Sequence, residues 1–222
     1  MGEMIEFAAN GSALKGYLAK PEDGGNGRGV VVIQEWWGLV PHIRDIADRF
    51  AKAGYVALAP DLYRGESTTS PDDAGRMMMA LNIEQTEKDL KSAVEALKEH
   101  GGAKSVGVVG FCLGGQLALF AATASSDVRA CVDFYGVHPN VTPNFSKLSC
   151  PVLGLFGAHD DFVNPETVAS LVADIEAAGK SIEHHTYDTG HAFFNDTRPD
   201  AYHQESAQDA WKRTLSFFDS HL

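Results

Sequence analysis

Cys112 is the residue of this 222-residue chain best surrounded for chemistry. It stands in Gly110-Phe111-Cys112-Leu113-Gly114-Gly115, after the apolar β-branched run Val106, Val108, Val109 and before the Ala/Leu-rich stretch 116–123. The run reads as a buried strand and the stretch as a helix. A nucleophile in the sharp turn between them sits in strained backbone. Side chains two positions to either side would strike the flanking strand and helix, which accounts for Gly110 and Gly114. A thiol alone does not complete acyl transfer. An imidazole must take and return a proton, and a carboxylate must orient the imidazole.

Strand, Gly-x-nucleophile-x-Gly and helix form the nucleophile elbow of α/β-hydrolases, with Cys where Ser is usual, and the chain order there is nucleophile, acid, His. C-terminal to Cys112, strand Val152–Phe156 ends in Gly157-Ala158-His159-Asp160-Asp161-Phe162-Val163, and strand Ile182–Tyr187 ends in Asp188-Thr189-Gly190-His191. Both loops leave strands at the edge where parallel sheets assemble their sites. The reading is a Cys112–His191–Asp160 set, with Asp161 as the rival acid. An oxyanion hole takes one backbone N–H from Leu113 and one from the segment Gln34-Glu35-Trp36-Trp37-Gly38, assigned to Trp36. Glu35, a carboxylate at the end of a buried strand, needs a task or a partner, such as an arginine.

The elements that must position these residues alternate along the chain. An opening antiparallel pair, Met4–Phe7 and Leu14–Lys20, is joined through Asn10-Gly11. Strand Val30–Gln34, helix 42–53, strand Tyr55–Ala59, an irregular stretch 61–71 and helical material from Asp73 to His100 precede the elbow. Strands Ala130–Tyr135, Val152–Phe156 and Ile182–Tyr187 follow, with helices 166–178 and 207–220. This predicts an α/β fold over residues 1–222 as one domain: a mainly parallel twisted sheet, helices on both faces, little or no cap domain.

A net charge of −12 and the lack of a basic patch weigh against nucleic acid and anionic membrane as partners. No apolar run suggests a signal peptide or a span, and three scattered cysteines do not make a disulfide framework, so the expected compartment is the cytoplasm. Cys131 and Cys150 read as buried, inert thiols. With neither His-x-x-x-His nor Cys-x-x-Cys spacing, no metal and no cofactor are expected.

The motifs at 34–39, 110–115, 160–163 and 190–193 together resemble the dienelactone hydrolase (carboxymethylenebutenolidase) family, across essentially the whole chain. The resemblance implies an α/β-hydrolase fold and a Cys112–His191–Asp160 triad. It also implies that Glu35 pairs with the resting thiol and helps to deprotonate it when substrate arrives. It implies a cysteine-dependent hydrolase of esters or lactones that works through a thioester. Family members acting on anionic dienelactones carry an arginine four residues after the histidine, where this chain has Asn195. A second, upstream arginine has only Arg76 as a candidate. Trp37, Met78, Tyr135 and Phe193 complete an expected apolar substrate pocket, which favours neutral or bulky apolar esters and lactones. The chain is expected as a monomer or weak homodimer. The alternatives are a hydrolase-fold ligand-binding or sensor protein without turnover, and a thiol redox protein.

Overall fold

A computed structural model describes residues 2–9 and 11–222. Asn10, half of the turn dipeptide read from the sequence, lies outside the described residues. Strands β1 (Glu3–Ala9) and β2 (Ser12–Ala19) pair antiparallel, and β2 runs antiparallel to β4 (Val56–Pro60). From β4 onward the sheet is parallel: β3 (Arg28–Ile33), β5 (Ser105–Phe111), β6 (Val128–Phe134), β7 (Val152–Gly157) and β8 (Ile182–Tyr187). The eight strands lie in the order β1-β2-β4-β3-β5-β6-β7-β8. The expected fold class holds.

The central strands are apolar throughout because both faces are covered. On β3, Val31 and Ile33 join one core cluster and Val30 and Val32 the other, as the two-residue period of a strand requires. Helices α3 (Ile83–Glu99) and α4 (Leu113–Ala124) supply Leu90, Val94, Leu97 and Leu117 to the first cluster. Helices α1 (Pro41–Lys52) and α6 (Gln204–His221) supply Ile43, Ile46, Phe50 and Phe218 to the second. Helix α5 (Pro165–Ala177) seats Val168 against Phe156. At the edge, β8 is largely exposed and carries the polar His184 and His185, which discourages pairing with another sheet.

The single helical stretch expected from Asp73 to His100 is two helices, α2 (Pro71–Ala80) and α3. Leu81 is extended (ψ 124°), and the Asn82 side chain accepts a hydrogen bond from the Gln85 N–H at 3.0 Å, capping a new helix. Asn82-x-x-Gln85 is a capping pattern, so the break had a sequence signal.

The elbow is built as its glycines require. Cys112 has φ 54° and ψ −119°. A Cβ on Gly110 would land on the Gly114 carbonyl, and one on Gly114 on the carbonyls of Ile33 and Gln34. The first turn of α4, which begins at Leu113 rather than near Gln116, therefore lies directly on the end of β3. Cys112 is fixed from β6 as well: its N–H donates to the Phe134 carbonyl (3.0 Å) and its carbonyl accepts from the Val137 N–H (3.2 Å). Gly114→Ala must push α4 off β3 and is expected to cost about 3 kcal/mol or more. Urea unfolding against wild type measures this; an unchanged midpoint would contradict the packing described.

Candidate active site

Four strand ends meet above the sheet edge. β5 delivers Cys112, β7 the loop with Asp160, β8 the loop with His191, and β3 the segment Glu35–Trp37. Asp160 Oδ2 lies 2.7 Å from His191 Nδ1, which donates to it. The other carboxylate oxygen accepts the N–H groups of Phe162 (2.8 Å) and Val163 (2.9 Å), so Asp160 is held in place before it holds the ring. Asp161 is exposed, leaving Asp160 as the carboxylate on the imidazole. Burial disfavours the charged ring, but the hydrogen bond to Asp160 and the nearness of Cys112 and Asp160 outweigh it and push the His191 pKa up to about 10. For Asp160, burial works upward, yet His191 and the two amide donors hold its carboxyl below the usual range.

Glu35 is 1% exposed. Burial pushes its pKa up to about 7, although the charge of His191, a hydrogen bond from Asn195 and the charge of Arg198 pull it down. Its direct partner is an amide rather than the arginine considered from sequence: Asn195 Nδ2 donates to Oε2 at 2.7 Å. The hydrogen bond on Glu35 comes from Asn195, and among the described residues none joins its carboxylate to Cys112. Among the described residues, neither the Leu113 nor the Trp36 N–H donates to another protein group. The Trp36–Trp37 segment is anchored by the Thr68 N–H, which donates to the Trp37 carbonyl at 3.1 Å.

The expected substrate-contacting residues divide. Trp37 lines a cavity of about 420 Å³ together with His42, Thr68, Thr197 and Arg198. The Arg198 guanidinium stands 5.2 Å over the Trp37 ring. Asn195 borders the same cavity, but its nitrogen serves Glu35 and its oxygen accepts from the Thr197 hydroxyl at 2.6 Å, so it supports a carboxylate rather than a ligand. Arg76 is exposed, ion-paired with Asp73 on its own helix, and lines a surface cleft with Tyr63 and Met77. Phe193 is core, enclosed by Phe134, Tyr135 and Tyr187. Tyr135 is fully buried, with its ring 5.0 Å from the imidazole; it backs His191 instead of edging a cavity. Met78 packs half-buried on the core cluster that contains Leu113, and its carbonyl accepts from His138 Nε2 at 3.2 Å. Cys131 and Cys150 are buried, and burial raises both thiols, Cys150 to about 11.

Three residues were not found from sequence. The Tyr63 hydroxyl is buried without a partner among the described residues; burial raises its pKa, and the charge of Cys112 adds to the rise. Arg198 comes in through a turn, its N–H donating to the Asn195 carbonyl at 3.1 Å, from a position the four-residue spacing did not test. Phe162 meets the imidazole edge-on at 5.0 Å. Nothing in spacing or composition marks the direction in which these side chains turn.

The sequence model described as "Dienelactone hydrolase family" matches residues 14–222. The chain belongs to the dienelactone hydrolase family. "Protein usf" of Aquifex pyrophilus is 39% identical over the full length of both chains, and a "Putative carboxymethylenebutenolidase" of Aquifex aeolicus is 34% identical, again over all of both. The crystal structure of a "Putative Dienelactone Hydrolase" from Klebsiella pneumoniae superposes with a TM-score of 0.90 at 30% identity, covering 100% of this chain and 99% of that one. The chain is thus a dienelactone hydrolase-like hydrolase, of the ester- and lactone-cleaving kind. Among the described residues no helix is long and apolar enough to cross a membrane.

The raised pKa of Glu35 carries a stability cost with a definite pH window. Its folded value, about 7, exceeds its ordinary 4.5. The folded protein therefore binds this proton more tightly than the unfolded chain, and stability is lost as pH rises from about 4.5 through 7, by about 3 kcal/mol in all. Glu35→Gln removes that loss. The variant is expected to unfold at higher urea than wild type at pH 8 relative to pH 5, as followed by circular dichroism at both pH values.

Proposed function

We propose that Cys112 is the nucleophile of this hydrolase and that the reaction runs through a thioester, with His191 as acid and base and Asp160 as its orienting carboxylate. The observation that carries this reading is the imidazole itself, hydrogen-bonded through Nδ1 to Asp160 and close enough to Cys112 for the thiol to raise its pKa. An imidazole that stays protonated through neutral pH is a ready proton donor beside a sulfur at a helix N-terminus, the setting in which a thiolate is favoured. The thiolate attacks the carbonyl carbon of an ester or lactone, and the oxyanion takes the N–H groups of Leu113 and Trp36. Collapse breaks the acyl–oxygen bond, and His191 gives its proton to the leaving oxygen. Neutral His191 then takes a proton from water, which attacks the thioester. The acid leaves, and the pair is restored. Each of these groups lies at the end of a strand or in the loop after it, so the chemistry needs no large rearrangement.

Glu35 acts on this pair through charge. As a carboxylate it favours the imidazolium, and with it the thiolate. Uncharged esters and lactones are the proposed substrate class, supported by Asn195 standing where an arginine follows the histidine and by the ion pair that occupies Arg76 with Asp73. The charge of Arg198 is taken up by Trp37 and Glu35.

Turnover of an aryl ester such as 2-naphthyl acetate is expected to fall at least about a thousandfold in Cys112→Ala. Mass spectrometry of a quenched wild-type reaction is expected to find an acyl group on Cys112. In a pH–rate profile the rate should rise as pH passes about 7 with Glu35 ionisation, an inflection that Glu35→Gln abolishes. Equal turnover by Cys112→Ala would defeat the reading. Acylation without repeated turnover would favour a sensor.

A further inference from the structure

We propose that Phe162 is the specificity-determining residue for the leaving group, the alcohol side of the ester, and selects aromatic or bulky apolar alcohols. The proposal rests on the reading of Cys112 and His191 given above and adds the part of the substrate that Phe162 touches.

Phe162 is 62% exposed, one of three large apolar side chains so placed among the described residues, with Met4 and Met79. Single exposed apolar residues are ordinary, and exposure alone assigns nothing. The seat of this ring is what separates it from the other two. Its N–H donates to Asp160 Oδ1 while Asp160 Oδ2 accepts from His191, so one buried carboxylate fixes both the backbone of Phe162 and the imidazole. The two rings then meet with centroids 5.0 Å apart in an edge-on arrangement. Two aromatics meet the imidazole: Tyr135, completely buried, and Phe162, largely exposed.

The sheet order says which half of a substrate lies there. Cys112 leaves β5; Leu113 follows it in chain, and Trp36 leaves β3, the neighbour on one side. Asp160, Phe162 and His191 leave β7 and β8, on the other side. A carbonyl bonded to the Cys112 sulfur turns its oxygen toward the free N–H groups of Leu113 and Trp36. The bond that breaks then points across the sheet toward His191, which must protonate the departing oxygen. The group attached to that oxygen lies against whatever flanks the outer side of the imidazole. Phe162 is that flank. An apolar alcohol would cover the ring's exposed surface and gain both area burial and aromatic contact. The alcohol departs before the thioester is hydrolysed, so Phe162 acts on acylation and not on deacylation. In a lactone the leaving oxygen stays tethered, and the ring would contact the carbon that bears it.

The test uses the intact protein and esters that differ in one half at a time. Wild type, Phe162→Ala and Phe162→Leu are assayed on 2-naphthyl acetate, methyl acetate and 2-naphthyl butyrate, with pre-steady-state bursts to separate acylation from deacylation. Phe162→Ala should lose about tenfold in kcat/KM on both naphthyl esters and stay within about twofold on methyl acetate. Deacylation of the common acetyl-enzyme should be unchanged. Phe162→Leu, still apolar, should recover part of the loss. Because the side chain is exposed, these variants are expected to fold as wild type does, which a thermal melt verifies. An equal loss on methyl and naphthyl acetate, a loss that follows acyl length, slowed deacylation, or no loss would each overturn the proposal. Failure of the underlying reading looks different: wild type would then cleave none of the esters, or Cys112→Ala would cleave them as fast.

Discussion

A side chain at position 110 or 114 would occupy space already taken by backbone carbonyls, and this shortage of room governs the arrangement of the whole site. With both positions reduced to glycine, α4 starts directly against the end of β3, and the connecting residue is forced to φ 54°. Such a conformation costs roughly 1–3 kcal/mol for a residue with a Cβ. It persists because β5 and α4 are each locked into a large apolar core, and because Cys112 is tied through its own N–H and carbonyl to the segment after β6. The strain lifts the sulfur above the sheet and aims the first N–H of α4 past it. Position and electrostatics come from one piece of geometry.

Charge in the site is arranged in tiers of decreasing certainty about the proton. Asp160 is ionised, with its two oxygens accepting three hydrogen bonds, and it keeps the imidazole charged against the penalty of burial. Glu35 is less well supported. Its one oxygen–amide contact and the nearby charges leave the carboxyl balanced near neutral pH, which is the property of a group meant to change state rather than to brace others. Asp133 shows how far burial can go: its Oδ1 lies between Gly115 and Gly136, and burial carries its pKa to about 7 although the Gly136 backbone pulls it down.

Much of the fold was legible because periodicity is a local property. The alternation of apolar runs with helical stretches specified a parallel sheet covered on both faces, and each central strand fell within a few residues of its expected limits. The helix break at Leu81–Asn82 was missed although its capping residues were present, since an amphipathic pattern continues across it. Side-chain direction in loops was harder. Phe193 and Tyr135 are expected in a pocket wall but are core, because Tyr135, directly after β6, and Phe193, in the loop after β8, pack against each other and Phe193 against Tyr187. Asn195 was weighed for the charge it lacks, whereas its importance lies in the amide it offers Glu35.

The sequence by itself determined the elbow, the order of Cys112, the Asp160-Asp161 carboxylates and His191, and the placement of each after a strand. Glycine's lack of a side chain and the two-residue period of strands act over a few positions and can be read from types and spacing. Only the tertiary structure decided that Asp160 and not Asp161 takes the imidazole, that Glu35 rests on Asn195, and that Arg198 and Phe162 flank the site. Those choices depend on which way loop side chains turn when separate strands are brought side by side. That direction is set by burial and hydrogen bonding across distances of 31 to 160 residues, which no local pattern encodes.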